Sequence, residues 1–429
     1  MKVLLVNKFH YRKGGGETYY FDLAEGLRSQ GHKIVFFSSR SGRNEPCAQE
    51  NYFTRERNYE GGGSLLRKVR DGLAAVYSLD AKRRFNQLLE DEKPDIVHLN
   101  LVQRQLTFSI MDAPALRGIP VVYTAHDYGL ICPNYLMLDG SGEVCDACVG
   151  GGFANCVKRR CIRGSYAKSA LVALESTVAK ARGCCERIDA IIAPSRFMAE
   201  KLVEGGISAD KITVAHNYAR PELLACAEKP KSEGSIREPY LLFFGRLSRE
   251  KGIDVLIDAY ASAKGRLPQD VSLVIVGDGP ERETLEILSR EKGVASYVRF
   301  VGFQTGDALR RYVEKAFLAI VSSRCRENYP YSIVEAFAYG TPVIGTRMGG
   351  IPELVSDGET GFLCECDDPV SLGEAILKAA FMSADEYEAM QNRCRRYVLS
   401  ECSQDGYYRS LAEVYCKAAR FQRGARDEG

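Results

Sequence analysis

Hydrophobic positions along the chain fall into short continuous runs separated by helical stripes. Lys2–Val6 is an apolar run, and after a loop containing Arg12, Lys13, Gly14, Gly15 and Gly16 come Tyr20, Leu23, Ala24 and Leu27 at helical spacing. Gly31 closes that helix, and a second run spans Lys33–Ser38. The plan repeats at Tyr240–Phe244, followed by Gly245-Arg246-Leu247-Ser248-Arg249-Glu250-Lys251-Gly252, a stripe at Val255, Leu256, Ala259 and Tyr260, and the run Ser272–Val276. Runs of four to eight apolar residues alternating with helical stripes predict parallel strands covered on both faces. Further strands are expected at Asp95–Leu99, Pro120–Thr124 and Ala190–Ala193 in front, and at Val298–Val301, Ala319–Val321 and Pro342–Gly345 behind. The chain therefore reads as α/β, with two doubly wound halves. The boundary is placed near residue 220, because Pro221–Pro239 has linker composition. A terminal helix is expected at about 405–419, with Leu411, Val414 and Tyr415 as its apolar stripe.

Length and composition sharpen this picture. The 429 residues suit two or three domains, and a 45% hydrophobic, 27% charged composition excludes disordered and collagen-like chains. No apolar run approaches the roughly 18 residues of a membrane span, and the N-terminus carries only a four-residue apolar stretch. A cytoplasmic protein with reduced thiols is expected. The net charge of +2 conceals an imbalance: residues 1–215 hold 30 Lys and Arg against 24 Asp and Glu. A basic front half suits an anionic partner.

Glycine loops that open helices are anion sites, since free N–H groups and the helix dipole both point outward there. Gly14–Gly16 is one such loop. In the second half Arg246 and Lys251 bracket another, spaced to straddle a diphosphate. Glu327-Asn328-Tyr329-Pro330-Tyr331-Ser332-Ile333-Val334-Glu335 places one carboxylate in a loop and one inside the helix that Pro330 starts. Two carboxylates at different heights suit a hydroxyl-rich ligand; local capping and solvation is the competing reading of the spacing.

Gly15-Gly16, Gly245-Arg246-Leu247 with Lys251-Gly252, Val276-Gly277-Asp278-Gly279-Pro280, and the pair Glu327 and Glu335 together resemble glycosyltransferase family 4. The resemblance spans nearly the whole chain. It implies the GT-B fold: two facing Rossmann-like domains, 1–219 for the acceptor and 220–429 for the donor, with a cleft between them and the terminal helix packing back on the first. It implies a retaining hexosyltransferase that takes a nucleoside-diphosphate sugar donor and a glycan or lipid-linked glycan acceptor, in polysaccharide or glycoconjugate synthesis, with no metal or other cofactor in catalysis. No Asp-x-Asp motif stands near these groups. By resemblance Arg246 and Lys251 hold the diphosphate, Glu335 the ribose hydroxyls, and Glu327 the donor sugar. The backbone from Asn328 to Ser332, with Tyr329 and Tyr331 between, lies against sugar and phosphate, Gly277 and Phe303 complete the donor side, Gly15 and Gly16 face the diphosphate from the first domain, and His126 approaches the sugar. An epimerase or hydrolase on the same fold, or a non-catalytic nucleotide-sugar-binding protein, are the alternatives.

Fifteen cysteines exceed what a reduced protein needs, and five lie between 132 and 161. Cys145, Cys148, Cys156 and Cys161 form C-x2-C-x7-C-x4-C within a glycine-rich insertion, 130–165, of the first domain. This is read as a closed structural zinc site, with an iron–sulfur site or uncoordinated thiols as alternatives. Basic groups at Lys158–Arg160, Arg163 and Lys168, at Arg67, Lys68 and Arg70, and at Lys82–Arg84 suit peripheral contact with an anionic membrane, or ordinary solvated helix faces. No nucleic-acid-binding signature accompanies them.

Overall fold

The computed structural model describes residues 1–57, 65–229, 238–268 and 271–427, the side chains of 65–69, 238 and 422–427 excepted. Two units result: Met1–Ala215 together with Tyr408–Gly429, and His216–Tyr407. The division falls four residues before the expected boundary. The stretch read as linker holds a helix, Pro221–Glu228, because Pro221 presets its first turn and Leu223 and Ala227 bury one face. Residues 230–237 of that stretch lie outside the described residues.

In the first unit, β1 (Lys2–Phe9), β2 (Lys33–Arg40), β3 (Thr54–Arg55), β4 (Ile96–Leu99), β5 (Val121–Thr124), β6 (Ala190–Ala193) and β7 (Ile212–Val214) form one sheet in the order β3-β2-β1-β4-β5-β6-β7. Every pairing is parallel. Val3 to Val6 of β1 are wholly buried, as a central strand covered on both faces requires. The helix Gln404–Asp427 belongs here: Tyr408, Leu411, Val414 and Tyr415 are buried, and Tyr415 Oη lies 2.8 Å from Nδ1 of buried His98. The Tyr408 ring packs so close to the helix Gly15–Ser29 that a Cβ on Gly26 would sit 1.7 Å from its hydroxyl.

In the second unit, β8 (Glu238–Phe244), β9 (Ser272–Val276), β10 (Val298–Gly302), β11 (Ala316–Val321), β12 (Val343–Thr346) and β13 (Gly361–Cys364) run in the order β10-β9-β8-β11-β12-β13, again all parallel. Alternation along each strand feeds two cores. Leu241, Phe243, Leu273, Ile275, Leu318 and Ile320 go to one face, and Leu242, Val274, Val276, Ala319 and Val321 to the other. The order reverses between β8 and β11, so the loops leaving these strands diverge and open a crevice at their carboxyl ends. Each unit is Rossmann-like, and the architecture is GT-B.

Candidate functional site

The loop after β8 turns on Gly252, held at φ 62, where a Cβ would lie 2.1 Å from the Ser322 carbonyl oxygen of the loop after β11. That close approach carries Lys251 to the neighbouring loop. Its Nζ sits 2.5 Å from Glu327 Oε1, which also accepts from Ser323 Oγ at 2.8 Å. Burial by itself would lower the Lys251 pKa, but the adjacent Glu327 carboxylate more than offsets this and raises it. Burial likewise pushes Glu327 up, and Lys251 with the Ser323 hydroxyl outweighs it, so the carboxyl ends below its ordinary value. Both groups are charged at neutral pH.

Arg246, on the same β8 loop, is exposed, and among the described residues its guanidinium makes no hydrogen bond or ion pair. Behind these groups Arg324 clamps the two loops. It makes a two-pronged contact with Asp254 at 2.7 and 2.8 Å, reaches Asp367 at 2.6 Å and donates to the Arg249 carbonyl. Gly277, at the end of β9, has φ 146, and a Cβ there would meet the Gly245 carbonyl at 1.8 Å. The β8 and β9 loops are thus locked edge to edge.

The helix Tyr331–Ala338 starts after Pro330, as its sequence predicts, with no side chain capping its N-terminus. Ile333, Val334 and Phe337 bury its stripe. Glu335, one turn in, lies 3.6 Å from Arg220 and is raised by burial, with Arg220 opposing. Tyr331 and Ser332 are half-buried at the helix start, and Asn328 is half-buried before it. Tyr329 is different: its side chain is core, stacked on His216 at 4.9 Å and within 3.2 Å of the Tyr397 hydroxyl, which leaves that ring no part in ligand contact. Phe303 stands 73% exposed after β10.

In the first unit, Gly15 and Gly16 open the helix Gly15–Ser29, and Gly16 lies beside His126, 3.7 Å from an added Cβ to the ring. His126 follows β5. Its Nε2 is 2.8 Å from Asn100 Oδ1, and its ring packs edge-on to Tyr19. Burial, helped by Lys8, holds its pKa at about 3, so the imidazole is neutral and Nε2 carries the proton.

The cysteine insertion gives a correction. Cys145, Cys148, Cys156 and Cys161 are all described, yet among the described residues no group of three or more His, Cys, Asp or Glu is arranged to hold a metal ion. Cys148 and Cys156 are buried against Phe153, Val172 and Ala173, with Cys161 partly buried against the same cluster. Burial pushes the Cys148 thiol up to about 11 and raises Cys156 and Cys161. Some of the basic groups have acidic partners. Lys82 meets Asp112 at 2.6 Å, Arg83 and Arg84 share Asp80, and Arg159 reaches Asp139. The side chains of Arg67 and Lys68 lie outside the described residues. Among the described residues no helix is long and apolar enough to cross a membrane.

Sequence reasoning missed Ser323 and the Arg324 clamp. Three polar residues, Ser322-Ser323-Arg324, at the carboxyl end of an apolar strand were the available signal.

Two family models match the chain in succession: Glycosyltransferase Family 4 matches residues 13–222, and Glycosyl transferases group 1 matches 227–397. This chain belongs to glycosyltransferase family 4. The family-4 chain is 31% identical over 188 residues to the lipopolysaccharide core biosynthesis glycosyltransferase LpsE of Rhizobium meliloti, covering 44% of this chain and 53% of that protein. It is 28% identical over 226 residues to the amylovoran biosynthesis glycosyltransferase AmsK of Erwinia amylovora, covering 51% and 54%. The chain spans about half the length of these curated relatives. Among solved structures it resembles Anabaena HepE in complex with UDP-glucose, with a TM-score of 0.64 and 18% identity over 96% of this chain and 99% of that one.

Proposed function

We propose that the family-4 chain transfers a hexose from a nucleoside-diphosphate sugar to a glycan or glycolipid acceptor with retention of configuration, in cell-surface polysaccharide or glycoconjugate synthesis. The observation that carries this reading is the pairing of Lys251 with Glu327 at the strand-order reversal of the second unit, where Lys251 shares its loop with Arg246. Anabaena HepE, similar in fold, was solved with UDP-glucose, and LpsE and AmsK are named for lipopolysaccharide core biosynthesis and amylovoran biosynthesis.

In this reading the diphosphate lies against Arg246, Lys251 and the open N-terminus of the helix Tyr331–Ala338, where backbone N–H groups face outward. Glu335 accepts the ribose hydroxyls and Glu327 a hydroxyl of the sugar. As the bond from the anomeric carbon to the phosphate oxygen breaks, negative charge grows on the phosphate and positive charge on the ring. Fixed cations oppose the former, each contributing about 3 kcal/mol at most. The acceptor oxygen then bonds the same face of the anomeric carbon, and its proton passes to the departing phosphate. No protein nucleophile and no divalent ion enters. His126 contributes hydrogen bonding to the sugar, since an imidazole held at about 3 carries no charge.

The test is a donor screen by thermal shift, followed by transfer assays with the donor that binds. Nucleoside diphosphate should be released when acceptor is added, with the anomeric configuration kept in the product and no loss on chelation. Arg246→Ala and Glu327→Ala should each lower turnover by about 10³-fold while the protein stays folded. Unchanged turnover in either variant refutes the assignment, and epimerised donor without acceptor would make the enzyme an epimerase instead.

A further inference from the structure

Glu327 has two carboxylate oxygens, and every hydrogen bond its side chain makes with a described residue ends on one of them. Lys251 Nζ reaches Oε1 at 2.5 Å, Ser323 Oγ donates to it at 2.8 Å, and the Cys325 thiol stands 3.7 Å from it. An ionised carboxylate carries about four lone-pair positions, shared between its two oxygens. The ammonium and the hydroxyl fill those of Oε1. Oε2 takes none of these donors and is not enclosed, since the Glu327 side chain keeps 16% of its surface exposed. The open oxygen is therefore Oε2.

The groups behind the carboxylate are themselves fixed. Ser322 and Ser323 follow β11 directly and divide the ion pair between them. Ser322 Oγ donates to the Lys251 carbonyl at 2.9 Å, while Ser323 Oγ holds the Glu327 carboxylate. The Ser323 carbonyl accepts from Thr346 Oγ1 of β12 at 2.8 Å, which anchors this residue to the sheet. Glu327 is also held at its backbone, where the Gly350 N–H donates to its carbonyl at 2.7 Å. The last torsion of a glutamate is broad when nothing restrains it. Here the backbone at one end and Oε1 at the other narrow it to one setting. Ser323 is only 1% exposed, so it is sealed from any ligand and acts only through Glu327.

Charge balance does not need this hydroxyl. Lys251 already supplies the counter-charge, but an ammonium on a flexible four-carbon stem fixes charge more than direction. A hydroxyl anchored to the sheet adds the direction. A buried serine can satisfy itself on a carbonyl, as Ser322 does; Ser323 instead donates to a carboxylate that already has its cation.

We infer that Ser323 is a positioning residue: by holding Oε1 it turns Oε2 outward, so that a single carboxylate oxygen receives a hydroxyl of the donor sugar in a fixed direction. Such an acceptor is set before the bond to phosphate weakens and needs no reorganisation as charge develops. The identity of that hydroxyl rests on the transferase reading, whereas the orientation of the carboxylate does not.

Calorimetric titration of the full chain with UDP-glucose, UDP-galactose, UDP-N-acetylglucosamine and GDP-mannose, against UDP and GDP alone, tests it. At least one nucleotide sugar should bind. Ser323→Ala should weaken that one about fivefold and leave the matching nucleoside diphosphate unchanged, because Lys251 keeps both Glu327 and its bond from Ser322. In transfer assays its kcat/KM should fall about tenfold. In a Glu327→Ala background the same substitution should cost nothing further in either assay, since no carboxylate is left to orient. Equal weakening of nucleotide sugar and diphosphate, an equal loss in both backgrounds, or no loss at all overturns the inference, as does binding of none of the four nucleotide sugars. The expected binding pattern without transfer to any acceptor would retain Ser323 in this role and sink the transferase reading; transfer indifferent to Ser323→Ala would do the reverse.

Discussion

Lys251 Nζ and Glu327 Oε1 stand 2.5 Å apart although 76 residues separate them, and the pair joins the two loops that flank the strand-order reversal. Each charge is what makes the other tolerable. Glu327→Gln leaves a part-buried ammonium without its counter-charge and should cost about 2 kcal/mol, less than the roughly 3–5 kcal/mol of a fully buried pair because Lys251 is 30% exposed. The double variant Lys251→Met with Glu327→Gln should recover most of that loss in a thermal melt and none of the transfer activity. Recovery of activity in the double variant would show the pair to be structural only.

Gly252 and Gly293 share a left-handed backbone, φ 62 and 71, in opposite surroundings. Gly293 has nothing within 4 Å of an added Cβ, so Gly293→Ala should cost only the conformational penalty, about 1 kcal/mol. At Gly252 the same methyl group meets a backbone carbonyl, and the loop carrying Lys251 must shift. Gly252→Ala should therefore weaken donor binding as well as stability, which calorimetric titration with the donor measures directly. Equal effects of the two substitutions on donor affinity would contradict the loop-to-loop contact.

His98 and His126 are held neutral, both at about 3, chiefly by burial. Their ring signals should keep neutral-imidazole shifts in NMR spectra down to about pH 4. The linkage sign follows: a histidine whose folded pKa lies below its unfolded value of about 6.5 contributes stability above that pH and loses it as pH falls toward 3. Transfer rates should not report a His126 titration between about pH 5 and 8. An inflection at pH 6 to 7 assigned to His126 would refute this.

Tyr415→Phe removes the partner of His98 Nδ1 in a site closed to solvent. An orphaned buried nitrogen costs about 1–3 kcal/mol, so the first unit should melt several degrees lower with no change in nucleotide affinity. A melt that does not move would mean the terminal helix is only loosely seated.

The sheets were legible because central parallel strands are apolar on both faces: Val3–Val6 and Leu241–Phe244 admit no other reading. The short strands β3 and β7 were not, since Thr54-Arg55 and the half-exposed Ile212–Val214 are too short and bury too little to leave a run. At the site, Lys251 and Glu327 were legible through their motif, and the Arg324–Asp254 clamp was not, because no local spacing links residues 70 apart. Tyr329 entered the expected site through its backbone, and the sequence did not show that its ring packs on His216 in the core. The cysteine spacing predicted a cluster but not the apolar packing of Cys148 and Cys156 against Phe153, Val172 and Ala173.

The return of residues 408–429 to the first unit has a consequence for synthesis. A ribosome that has finished Ala215 has made a sheet whose last covering helix does not yet exist. His98 waits for Tyr415 while the 192 residues from His216 to Tyr407 emerge, about 10–40 s at ordinary elongation rates. The second unit, continuous in sequence, can close first. The half of the chain that is made earliest is therefore the half that finishes last, and its exposed surface is what a nascent-chain chaperone would meet.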